Sequence, residues 1–136
     1  MQTSDRGLLA LIRHEGVVPG PYLDVKDIWT VGIGHTAAAG LPDPARMPRG
    51  MPAHLDAGIR EAFRIFRTDL AAYEAEVLRA VKVPLDPHEF DALVSFHYNT
   101  GGIAKAALTK ALNVGNRTAA AAAFMGWLKP PAIRSR

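Results

Sequence analysis

The stretch EGVVPGPYLDVKDIWTVGIGHT, residues 15–36, decides how this 136-residue chain folds. Tyr22-Leu23-Asp24-Val25 and Ile28-Trp29-Thr30-Val31 are strand-like pieces on either side of Lys26-Asp27, the pattern of a short hairpin. Gly32 and Gly34 flank Ile33, where the chain turns again. Two carboxylates sit awkwardly in this frame. Asp is a poor strand former, so Asp24 needs a turn role or a chemical one. Glu15 stands at the end of the preceding apolar periodicity, where a helix dipole disfavours a negative charge by about 0.3–1 kcal/mol.

Upstream, Ser4 or Asp5 can cap a helix whose apolar face carries Leu8, Leu9, Leu11 and Ile12, with Gly16 suited to its C-cap. Downstream, residues 37–52 are rich in Ala, Pro and Gly and read as a long loop. Residues 53–82 are helical in pattern. Ile59, Phe63, Phe66, Leu70, Tyr73 and Val77 form one apolar stripe, which Gly58 could divide. Pro84 stops that helix. Asp86-Pro87-His88-Glu89 then starts another, with Asp as N-cap, Pro in the first turn and Glu at the third position. Thr100-Gly101-Gly102 closes it. Residues 103–113 read as a further helix, and Asn116 caps a last one running through the alanines to Trp127.

The class is therefore α+β: a helix, a small hairpin lobe, a loop, and a helical lobe joined by a long helix, an arrangement that often leaves a cleft. One domain is expected over 1–136. Its hairpin lobe covers about 16–52, and its helical lobe covers about 53–136 plus the N-terminal helix.

Composition excludes several classes. A hydrophobic fraction of 49% with 21% charged residues is that of a globular chain, not a disordered one. With no cysteine there is neither a disulfide framework nor a thiolate metal site. The five histidines, 14, 35, 54, 88 and 97, lack metal-ligand spacing, so no metal and no cofactor are expected. No apolar run approaches the roughly 20 residues of a membrane span, and the first sixteen residues lack the core and flanks of a secretory signal. A net charge of +3 suits an anionic partner or a merely Arg-rich surface. Arg60, Arg64 and Arg67 share one helix face. Without a nucleic-acid-binding motif that face reads as solvated, and no nucleic acid is expected.

A helix-end Glu facing a hairpin that carries Asp24 and Thr30 would suit glycoside hydrolysis. One carboxyl group would protonate the leaving oxygen and the other would activate water or attack the sugar. Each residue also has an ordinary explanation: a surface Glu, a turn Asp, a cross-strand Thr. Jointly, Glu15, eight residues, Asp24, five residues, Thr30, then Val31-Gly32-Ile33-Gly34-His35-Thr36, resembles the signature of phage-type lysozymes, the endolysins of glycoside hydrolase family 24. The likeness extends to Phe90–Phe96 with Asn99, and to Trp127, the following prolines and Arg134.

The resemblance implies a lysozyme-like fold and cleavage of the β-1,4 bond between N-acetylmuramic acid and N-acetylglucosamine in peptidoglycan, with inversion. Glu15 would be the general acid, with Asp24 and Thr30 holding the attacking water. Tyr22, Phe96 and His97 would be candidate sugar contacts, with a core role open for Phe96 and His97. His35 would pair with Asp69 and tie the hairpin to the long helix, and Arg134 would partner Glu15. The expected partner is the peptidoglycan glycan strand, met by a monomer that binds no membrane. The chain would wait in the host cytoplasm for holin-type release. Relatives continue past Arg136 with one more helix, so the final helix reads as truncated. A catalytically idle lysozyme-like module that binds glycan or scaffolds other proteins is the alternative, and it would have no need of all three site residues.

Overall fold

The computed structural model describes residues 1–128. The chain forms two compact units, residues 4–72 and residues 1–3 with 73 onward. The N-terminal helix falls in the first of these, with the hairpin, rather than with the later helices.

In the hairpin unit, Ser4 caps α1 (Asp5–Glu15) by accepting the Gly7 N–H at 3.2 Å. Gly16 ends it, its N–H donating to the Ile12 carbonyl at 2.8 Å. The sheet has three antiparallel strands in the order β1 (Val18–Leu23), β2 (Trp29–Gly32), β3 (His35–Thr36). Tyr22 lies opposite Thr30, and Thr30 opposite Thr36. β1 starts earlier than its composition suggests, running through Pro19-Gly20-Pro21. As an edge strand it has room for proline, and a register irregularity between Val18 and Tyr22 absorbs the missing donors.

The 37–52 segment is a loop with two short 3-10 turns, Ala37–Ala39 and Pro44–Arg46. It returns over β1 so closely that a Cβ on Gly20 would collide with the Gly50 carbonyl. Arg49 fastens it. The guanidinium stacks 3.8 Å from the centre of the Trp29 ring and donates to the carbonyls of Ala45 and Met47, both at 3.0 Å.

Helix α2 (Leu55–Ala80) is continuous through Gly58, against which the Pro52 ring packs. Its buried stripe is rotated from the expected one. Ala62, Ile65, Phe66 and Leu70 are buried while Phe63 is 40% exposed. The rotation places Asp69, one turn beyond Ile65 and Phe66, on the buried face.

In the second unit, Glu74 on α2 accepts both the N–H and the hydroxyl of Thr3 at 2.6 Å. Helix α3 (Pro87–Thr100) opens with the expected capping box between Asp86 and Glu89, and Gly101 closes it in the left-handed conformation. Helix α4 is shorter than expected, Ala107–Asn113. The backbone of Ile103 is committed elsewhere: its N–H donates to His97 Nδ1 at 3.3 Å, and its carbonyl accepts from the Thr109 hydroxyl at 2.6 Å. Asn113 caps the end of α2, donating to the Ala80 carbonyl at 2.8 Å and accepting from the Lys82 N–H at 2.7 Å. Asn116 caps α5 (Arg117–Leu128) through the Ala119 N–H at 3.0 Å. Val77, Phe90, Val94, Ile103 and Leu108 are among the core residues of this unit.

Candidate active site

Glu15 is the last residue of α1, and its side chain is half-buried against the turn that joins β2 to β3. A Cβ on Gly34 would lie 2.7 Å from Glu15 Oε2 and 3.1 Å from its Cδ, so the carboxyl group rests on bare backbone. Gly34 has a φ of 70°, which independently favours glycine there. Burial raises the Glu15 pKa above its ordinary value, with the nearby His14 charge opposing. A carboxyl group that keeps its proton to higher pH can act as an acid.

Asp24 closes the β1–β2 turn. Its Oδ1 accepts the N–H groups of Lys26 at 2.8 Å and Ile28 at 2.9 Å. Its own N–H donates to the Ile28 carbonyl at 3.0 Å. The turn role is thus real, and it holds the carboxylate in one orientation. Asp27, at φ 60°, supplies the left-handed corner.

Thr30 is buried on β2, and its hydroxyl donates to the Ile28 carbonyl at 2.9 Å. With its proton engaged there, the oxygen presents lone pairs to any further partner. Tyr22, directly across the sheet from Thr30, has its phenol pKa raised by burial and then by the negative charges of Glu15 and Asp24. Both carboxyl groups therefore act on one phenol, which lies across the sheet from Thr30.

His35 and Asp69 meet. Nδ1 lies 2.6 Å from Asp69 Oδ2, and Nε2 lies 2.8 Å from the Pro42 carbonyl. A carbonyl can only accept, so Nε2 carries a proton. Burial pushes the Asp69 pKa up, and the bond to His35 opposes it. The imidazole thereby joins β3, the 37–52 loop and α2 within the hairpin unit.

The remaining expected residues belong to the helical unit or lie outside the described residues. Phe96 and His97 on α3 are buried, at 8% and 3% exposure. His97 spends Nδ1 on the Ile103 N–H and packs edge-on to Tyr73, with ring centres 5.0 Å apart. Arg134 lies outside the described residues. Among the described residues no three His, Asp or Glu side chains are grouped to hold a metal ion, and no helix is long and apolar enough to cross a membrane. Sequence reasoning missed two contributors. The Gly-x-Gly spacing marks Gly34 as a turn residue, but its contact with Glu15 is set by the fold. Arg49, in a loop without periodicity, left no such signal.

The sequence pattern of the phage lysozyme family matches residues 12–133. The chain belongs to that family. It is 35% identical to the endolysin of Salmonella phage P22 over 95% of this chain and 85% of that one. It is 33% identical to the SAR-endolysin of Escherichia phage Mu over 88% and 64% respectively. Among solved structures, an endolysin from Escherichia coli O157:H7 phage FAHEc1 superposes with a TM-score of 0.75 at 32% identity, covering 94% of this chain and 77% of that one. The muramidase domain of SpmX from Asticaccaulis excentricus gives a TM-score of 0.72 at 26% identity, with 93% of this chain and 79% of that one covered. The fold is thus the lysozyme-like α+β fold expected from the sequence, and the chain is a lysozyme-type hydrolase by family.

Proposed function

We propose that this protein is a muramidase that hydrolyses the β-1,4 bond between N-acetylmuramic acid and N-acetylglucosamine in peptidoglycan. One observation carries the reading. A half-buried carboxyl group with a raised pKa, Glu15, rests on the glycine turn of the same hairpin that holds an oriented carboxylate, Asp24, and a proton-committed hydroxyl, Thr30.

Glu15 gives its proton to the bridging oxygen as the glycosidic bond breaks. Water attacks the anomeric carbon from the opposite face. Its departing proton goes to Asp24, and its other proton is held by the Thr30 oxygen. The new bond forms opposite the old one, so the configuration inverts. His35 and Asp69 keep the hairpin in place for this chemistry. The protein acts as a monomer on glycan strands after release from the host cytoplasm, and its net charge of +3 favours the anionic wall.

Digestion of purified cell walls tests the proposal. Mass spectrometry should find reducing-end muramic acid, and NMR of fresh product should find the inverted anomer first. Glu15→Gln should lower turnover by about 10²–10⁴-fold while still binding wall. Anhydro-muramic ends would mean a transglycosylase instead, and no clearing by the unmodified protein would sink the proposal.

A further inference from the structure

The three strands of the sheet carry a row of hydroxyl-bearing residues. Tyr22 on β1 pairs with Thr30 on β2, which pairs with Thr36 on β3. Residues paired directly across antiparallel strands point to the same face, with neighbouring strands about 4.8 Å apart. Asp24 follows β1 directly in the turn, where its Oδ1 accepts the Lys26 and Ile28 N–H groups, and its charge acts on the Tyr22 phenol. The row thus begins beside the carboxylate and hydroxyl that would hold the attacking water.

The hydrogen-bonding roles at this place are unequal. Asp24, as a carboxylate, can only accept. Thr30 has given its proton to the Ile28 carbonyl and also accepts. A water that donates to both has spent its two protons, and it keeps two lone pairs. One of these must point at the sugar carbon. The other is free to swing unless a donor fixes it.

We propose that the Tyr22 hydroxyl is that donor. It fills the second lone pair of the attacking water, and Tyr22 is a positioning residue for the hydrolytic step. This rests on the muramidase reading above. The phenol is suited to the role because burial and the two surrounding carboxyl groups keep it protonated. The side chain is half-buried. A sugar contact would place the same group against the substrate instead, and the two roles separate in kinetics. Loss of a water-orienting bond lowers kcat and leaves KM alone. Loss of a ground-state sugar contact raises KM.

The experiment is steady-state kinetics of Tyr22→Phe on soluble glycan fragments, with thermal unfolding measured alongside. The phenylalanine ring keeps the packing and removes only the hydroxyl. The expected result is a kcat about three- to tenfold lower, the worth of one hydrogen bond, with KM within about twofold and an unchanged unfolding midpoint. In Tyr22→Trp, whose ring nitrogen donates from another position, kcat should fall at least as far. A raised KM with kcat preserved would overturn the proposal, as would unchanged kinetics. A kcat loss that tracks a lowered unfolding midpoint at assay temperature would also overturn it. If the unmodified chain cleaves no glycan, the muramidase reading fails and this inference with it. If it cleaves and Tyr22→Phe cleaves equally well, this inference alone fails.

Discussion

Two histidines are buried to nearly the same extent, His35 at 1% exposure and His97 at 3%, and each faces a carboxylate on α2. They are used differently. In the hairpin unit His35 has a partner at each nitrogen, Asp69 at 2.6 Å and the Pro42 carbonyl at 2.8 Å. In the helical unit His97 has a bond only at Nδ1. Its Nε2 stands 3.4 Å from Glu76 without forming a hydrogen bond among the described residues.

The difference follows from what each unit has to work with. The helical unit buries side chains from α3, α4 and α5 in a large apolar core, with bonds such as Asn113 to the end of α2 added to it. The hairpin unit must hold short strands and a long irregular loop. To an apolar core that includes Leu11, Val31, Ile33, Ile65 and Phe66 it adds directional bonds: His35 to Asp69, Arg49 to Trp29 and three carbonyls, Asp24 to its turn amides. A satisfied polar network specifies one geometry, which a site built on a hairpin requires.

The sharpest way to break this comparison is to remove each imidazole. His35→Leu strips a buried carboxylate of its partner and leaves the Pro42 carbonyl unbonded, so unfolding free energy should fall by about 3–5 kcal/mol. His97→Leu leaves one N–H, that of Ile103, without its acceptor, and the expected cost is about 1–3 kcal/mol. Urea unfolding of the two variants at the same pH decides the matter. Equal losses, or a larger loss at His97, would mean that directional bonds do not carry the hairpin unit.

The same contrast explains what could be read in advance. The capping box at Asp86-Pro87-His88-Glu89 and the glycine stop at 101 are local signals, and they appear as expected. So does the turn at Asp24–Ile28, because a short polar side chain bonding its own backbone needs no distant partner. Features set by distant partners were illegible. Ile103-Ala104-Lys105-Ala106 has no helix breaker, yet α4 starts after it because His97 and Thr109 claim the backbone of Ile103. β3 is two residues long, too short for any period to show. β1 begins at Val18, ahead of the strand-like piece expected from Tyr22, because an edge strand with a register irregularity accommodates Pro19 and Pro21. For the site, the spacing of Glu15, Asp24 and Thr30 was readable. That Asp24 is oriented by two amides, and that Gly34 seats Glu15, required the fold.

A second, smaller effect sharpens the comparison through glycine. Gly34 and Gly101 both have positive φ, 70° and 66°. A Cβ on Gly34 would meet Glu15 Oε2 at 2.7 Å, while one on Gly101 would meet nothing within 4 Å. Alanine at either position should cost about 1–2 kcal/mol from the left-handed backbone alone. Only Gly34→Ala should also lower wall-clearing activity by more than about tenfold, because it pushes the proposed acid from its seat. Activity assays at a temperature where both variants are folded read the difference. Similar activity in the two would mean that the Glu15 carboxyl group has slack to move without consequence.

The smallest expected effect concerns Glu15 itself and carries a definite sign. Burial raises its folded-state pKa above the ordinary value near 4.5. At pH below that value the group is protonated in both folded and unfolded chains and contributes no difference. As pH rises between the ordinary and the raised value, the unfolded chain releases the proton and the folded chain holds it. Fewer protons on the unfolded state means that stability falls with pH across that window, then levels off. Glu15→Gln cannot ionise, so its stability lacks this fall. The variant should match the unmodified protein near pH 4 and exceed it near pH 7. The gain should be small, because the carboxyl group is only half-buried. Other carboxyl groups titrate alike in both proteins and cancel in the difference, so paired urea titrations at the two pH values isolate Glu15. A variant less stable than the parent at pH 7 would mean that the carboxylate is held by favourable contacts, which would weaken its assignment as an acid. A gain of the expected sign would make Glu15 a residue kept at a cost to the hairpin unit, in contrast to His35, whose bonds stabilise it.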